Sequence, residues 1–194
     1  MWFWLSLIAL LCWSGSDLFS KIGCQGEDDH LAHLKMVIAV GTVMGLHAAF
    51  EIFVGGTDIS WSIIWTYLPV SLLYIGSMTL GYLGLRYIEL SVSSPICNSS
   101  GALVAVMTLL FVGGEDYSPL ALGAIVLVCV GAIGLGVVDA TEDPELRAAR
   151  QVEGNRKYSK SFLALALPVA YCLLDAAGTF ADNRVLETLD EGSA

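Results

Sequence analysis

Asp17, His47, Glu51, Asn98 and Asp175 stand inside stretches of chain that are otherwise apolar. In a low-dielectric setting a carboxylate must be matched by a cation, take up a proton, or face water, so Asp17 and Asp175 are candidate charge partners or proton carriers. Their positions are also related. Laying residues 5–17 over 163–175, an offset of 158, superposes the two acids and sets Trp13 on Tyr171, with Leu5, Leu7 and Asp17 identical to their counterparts. This is the mark of a repeat starting again, and duplicated bundles with a polar site between the repeats are a transporter architecture. His47 and Glu51 are one helical turn apart, a spacing that suits a structural pair or an acid–base couple. Catalysis needs a nucleophile or metal as well, and no third group stands at motif spacing.

The elements that carry these groups follow from composition. The 194 residues are 56% hydrophobic and 14% charged, with a mean hydropathy of +0.70, well beyond an ordinary soluble domain. A bilayer core about 30 Å thick takes roughly 20 apolar residues per helix, and runs of that kind fall near 2–22, 36–54, 62–85, 91–112, 119–138 and 161–181. The expected fold is an all-α, polytopic transmembrane helix bundle. The first run lacks the basic start and the small-residue cleavage site of a signal peptide. Five scattered cysteines form neither a disulfide framework nor a metal cluster, and no cofactor motif is present. A net charge of −10 argues against nucleic acid as a partner.

Orientation follows from lysine and arginine. With loops taken alternately, Lys21, Lys35, Arg86, Arg147, Arg150, Arg156, Lys157 and Lys160 fall on one side and only Arg184 on the other. Basic residues stay in the cytoplasm, so the linker over 139–160 is expected there and the amino terminus outside, the setting being the plasma membrane of a bacterial cell. Five spans before the linker make the sixth enter from the opposite side to the first. A second repeat is therefore inverted, with Asp17 toward the cytoplasmic third of its span and Asp175 toward the outer third.

Helical projection assigns faces. On span one Ser6, Trp13, Asp17 and Ser20 share a face, and Lys21 either neutralises Asp17 or extends to the interface. On span two Gly41, Gly45 and Ala49 form a small-residue stripe suited to close helix packing, with His47 and Glu51 on another face. Tyr67, Ser71, Tyr74, Met78 and Gly81 align on span three, as a ligand-stacking stripe or as packing. Span four carries Ser91, Ser94, Pro95 and Asn98 on one face. A proline and an amide at this depth mark a cavity wall or a buried contact. Glycines 123, 131, 134 and 136 on span five suggest tight packing or a partner helix.

The first-span segment Leu11-Cys12-Trp13-Ser14-Gly15-Ser16, the fourth-span end Gly113-Gly114-Glu115-Asp116-Tyr117-Ser118 and the glycine-rich fifth span resemble one repeat of the drug/metabolite transporter superfamily, closest to its EamA-like branch. Glu115, Ser118 and Gly123 are the most specific part. The resemblance implies two inverted five-helix repeats, with residues 1–138 as the first, 139–160 as linker and 161–194 opening the second. It implies transport of small metabolites or drugs through a cavity between the repeats. Two departures stand out: the family's mid-span proline falls near Ala102 whereas this chain has Pro95, and basic residues are absent between spans two and three. The architecture is expected to be truncated after helix six, as a fragment or as a chain that joins a second copy or a missing second half.

The expected function is secondary transport of small organic solutes by alternating access, with no enzymatic activity. The candidate solute-binding residues are Trp13, Asp17, His47, Tyr74, Asn98 and Asp175; membrane lipid and a small organic solute are the expected partners. The competing classes are a non-transporting assembly subunit and a membrane-embedded enzyme using His47 and Glu51.

Overall fold

In the computed structural model the described residues are 2–24, 29–112, 117–143, 145, 162–187 and 189. They form helices α1 (Trp2–Cys24), α2 (Ala32–Phe50), α3 (Trp61–Tyr87), α4 (Leu90–Asn98), α5 (Ser100–Phe111), α6 (Pro119–Thr141) and α7 (Phe162–Leu186). Six helical spans are long and apolar enough to cross a membrane, with α4 and α5 together making the fourth. The residues of the Gly113–Asp116 segment, and most of the linker, lie outside the described residues.

Start signals are local. Ser60 accepts a hydrogen bond from the Ile63 N–H at 3.3 Å, and Ser118 accepts one from Ala121 at 3.2 Å with Pro119 behind it, so both helices open on a side-chain cap. Span two ends in a π-turn, Glu51–Gly55, closed by Gly56 at φ 75°, a backbone setting that disfavours any Cβ. Pro95 does not break its helix. The break comes one turn later, at Ser99, where α4 gives way to α5.

Helix α7 is the hub, packed against α3 along its length and against α4 and α5. Its pairing with α3 is antiparallel: Tyr67 donates to Asp182 Oδ1 at 2.7 Å, Tyr74 meets Thr179 at 3.1 Å, and further along Gly81 faces Tyr171 and Gly84 faces Leu167. Helix α1 instead runs parallel to α3, since Lys21, near the end of α1, reaches the carboxyl end of α3. The stripe on span three is thus largely an α3–α7 seam. Without water to drive association, helices in lipid approach where small residues allow it, and Gly81, Gly84 and Gly178 supply that here.

Other glycines behave differently from expectation. No atom beyond their own helix comes near Gly41, Gly45, Gly123, Gly131 or Gly134, so those small-residue faces open outward among the described residues. Leu120 and Phe53 are 84% and 85% exposed, which suits a hydrocarbon solvent and not water. Near the α1–α2 connection, Arg86 donates to the Asp29 carbonyl at 2.7 Å, and Lys35 pairs with the Asp29 carboxylate at 2.5 Å. The Lys35 hydrogen bond holds that exposed carboxyl below its ordinary range.

Candidate functional site

Four helices meet around a polar cavity. Trp13, Ser16, Asp17 and Ser20 come from α1, Met78, Gly81, Tyr82 and Leu85 from α3, Ser93, Ser94, Cys97 and Asn98 from α4, and Tyr171 from α7. On α1 and α3 the spacing is i, i+3, i+4, i+7, so one helical face presents all four side chains. The cavity holds about 60 Å³ open to water. Roughly 10–15 Å³ suffices for one water, whereas drug-sized pockets begin near 300 Å³, so this space suits a few waters or a very small polar group.

Asp17 is its charged centre. Its Oδ2 accepts a short hydrogen bond from the Ser94 hydroxyl and a long one, 3.4 Å, from Asn98 Nδ2. Asn98 also donates to Ser94 Oγ at 3.0 Å and to the Ser94 carbonyl at 2.8 Å, which fixes the amide and orients the hydroxyl toward the acid. The chain of hydrogen bonds runs from Asn98 through Ser94 to Asp17, which accepts. A shallow groove lined by Ser14, Leu90, Ser91 and Pro95 also reaches Asp17 and Ser94.

Lys21 does not serve Asp17. Its ammonium donates to the carbonyls of Leu85 and, at 2.6 Å, Ile88, where α3 ends and its last carbonyls lack helical partners. The nearest cation in sequence is thereby committed elsewhere, and Asp17 forms no ion pair among the described residues. Replacing Lys21 with Met is expected to lower stability by about 2 kcal/mol, the loss of charge-assisted bonds to two carbonyls. In a double-mutant cycle with Asp17→Asn, measured by thermal unfolding in detergent, the effects of the two substitutions should add; a coupling above about 1 kcal/mol would mean that Lys21 and Asp17 act as a pair after all.

The remaining candidates are dispersed. Asp175 lies one turn beyond Tyr171 on α7, outside the cavity lining. It stands thirteen positions after Phe162 and eleven before Leu186, near the middle of the helix, because α7 runs five residues past the apolar stretch that the sequence marks. Tyr74 is engaged with Thr179 in the α3–α7 seam. His47 on α2 and Glu51 at the start of the π-turn have Nε2 and Oε1 3.8 Å apart and side chains 74% and 47% exposed, and neither lines the cavity. Among the described residues no three His, Cys, Asp or Glu side chains gather closely enough to hold a metal.

The cavity therefore joins Trp13, Asp17 and Asn98 and leaves out His47, Tyr74 and Asp175. Trp13 and Tyr171, superposed by the 158-residue offset, both line it. Tyr82, which the sequence reading omitted, continues the Tyr74–Met78 stripe by one more turn, and that spacing was its only signal. No family model, no curated protein and no solved structure matches the chain.

Proposed function

We propose that the chain is a membrane carrier of small polar organic solutes, working by alternating access around the Asp17 cavity. The observation that carries this reading is a carboxylate oriented by Ser94 and Asn98, walled by Trp13, Tyr82 and Tyr171, and not neutralised by its neighbouring lysine. A structural acid inside a span is ordinarily paired; one that faces wet space between helices is a group for moving solutes or protons. Opposite directions of α1 and α7, both packed on α3, support an inverted repeat of the EamA-like kind, with Asp17 and Asp175 as corresponding acids. Loop charge supports an outward amino terminus and a cytoplasmic linker.

The test is uptake of a panel of small polar solutes into vesicles carrying the purified chain, with Asp17→Asn and His47→Ala in parallel. Uptake that is lost in Asp17→Asn and retained in His47→Ala supports the reading. Absence of uptake for the whole panel, or uptake that depends on His47 and not on Asp17, overturns it.

A further inference from the structure

A second cavity lies at the opposite end of the bundle. It is a cleft of about 360 Å³ between α5 and the last turns of α7. Helix α5 contributes Gly101, Val104, Ala105, Thr108 and Val112, a continuous face at helical spacing; α7 contributes Phe180, Asn183, Arg184 and Glu187, and Tyr117 stands at the rim. From residue 101 to residue 112 the α5 wall runs about 16 Å at 1.5 Å per residue, roughly half the thickness of a bilayer core.

Polarity changes along that length. Gly101, Val104 and Ala105 form the apolar end, next in sequence to the Ser99 break at mid-span. Thr108 follows, and the mouth is Asn183, Arg184, Glu187 and Tyr117. This gradient parallels that of the membrane itself, apolar at mid-depth and charged at the surface. A freely soluble polar solute gains little from the apolar half, whereas an amphiphile matches both ends.

The mouth also specifies a head group. Arg184 Nη1 donates to both carboxylate oxygens of Glu187 at 2.9 and 3.0 Å, and its guanidinium lies 5.7 Å from the centre of the Phe180 ring. Phe180 in turn meets Phe111 at 6.0 Å, so the arginine is held from below by aromatic rings. One cation and one anion side by side complement a head group that carries both signs. Guanidinium recognises phosphate in fork geometry, and a carboxylate accepts hydrogen bonds from a primary ammonium.

We propose that this cleft binds one zwitterionic phospholipid of the phosphatidylethanolamine type. Its phosphate sits on Arg184, its ammonium on Glu187, and an acyl chain lies along Val112, Ala105 and Val104 toward Gly101. The site is separate from the Asp17 cavity and does not depend on what that cavity carries.

The experiment is native mass spectrometry of the full chain after exchange into bilayer discs of equal phosphatidylethanolamine, phosphatidylcholine and phosphatidylglycerol. Wild type is expected to retain a single phosphatidylethanolamine, about tenfold over phosphatidylglycerol, the size of one charge-assisted interaction. Arg184→Gln should reduce retention to that of a random boundary lipid, and Arg184→Lys should restore part of it. Glu187→Gln should keep phosphate binding and erase the preference for the primary amine over phosphatidylcholine. Equal retention of all three lipids by wild type overturns the proposal, as does unchanged selectivity in Arg184→Gln. Should Arg184→Gln fail to fold, the Glu187→Gln comparison decides alone.

Discussion

Solute uptake by Asp17→Asn vesicles is expected to fall about 10- to 100-fold, while the protein unfolds at the same temperature as wild type or slightly above it. The asparagine side chain has the same shape and still offers an oxygen to Ser94, so the α1–α4 contact survives. What disappears is the negative charge. A hydrogen bond to a charged group is worth about 1.5–3 kcal/mol, and each 1.4 kcal/mol is tenfold in binding. Stability moves the other way because a charge held inside a membrane bundle costs free energy that an amide does not. Function and stability thus separate at this position, as they do at sites kept for activity. Uptake at the wild-type rate with normal assembly would remove Asp17 from the transport step and leave it a packing residue.

Gly81→Val should be the most damaging single change in the helix seam. A Cβ built on Gly81 falls 2.6 Å from Tyr171 Cδ2 and 2.9 Å from Cε2, closer than packed carbons approach. Overpacking of this kind costs about 1–3 kcal/mol, and the clash is steric, so lipid gives no relief. Gly81→Ala should show a milder form of the same loss. Trimming the ring with Tyr171→Leu is expected to rescue much of the valine defect, giving a double variant more stable than the sum of the single changes implies. Additive losses in thermal unfolding would mean that α3 and α7 are not in contact at this point.

Six spans were legible because lipid selects against charge over about 20 residues, and that selection is written in composition. The neighbours of each span were not. Lipid tails are as apolar as leucine, so an apolar face carries no instruction about its partner, and small residues merely permit approach. Gly41 and Gly81 read alike in sequence; one opens outward and the other holds Tyr171. Lys21 illustrates a second limit. Helical spacing pairs it with Asp17 one turn earlier, yet its flexible stem delivers the ammonium to Leu85 and Ile88 on another helix. The Asp17, Ser94 and Asn98 group was half visible, as polar residues on the right faces of spans one and four. Their convergence required knowing that α1 and α4 lie side by side. The Ser99 break fell a turn beyond Pro95 because the ring was absorbed within α4.

The central place of α7 sets a schedule for making the protein. Helix α3 ends at Tyr87 and its partner ends at Leu186, 99 residues later, so at about 5–20 residues per second the ribosome needs roughly 5–20 s between finishing one and finishing the other. Throughout that interval the hydroxyls of Tyr67 and Tyr74 lack the Asp182 and Thr179 groups they meet in the finished bundle. The earlier spans wait in the bilayer as a loose set until α7 is made and closes them into a unit.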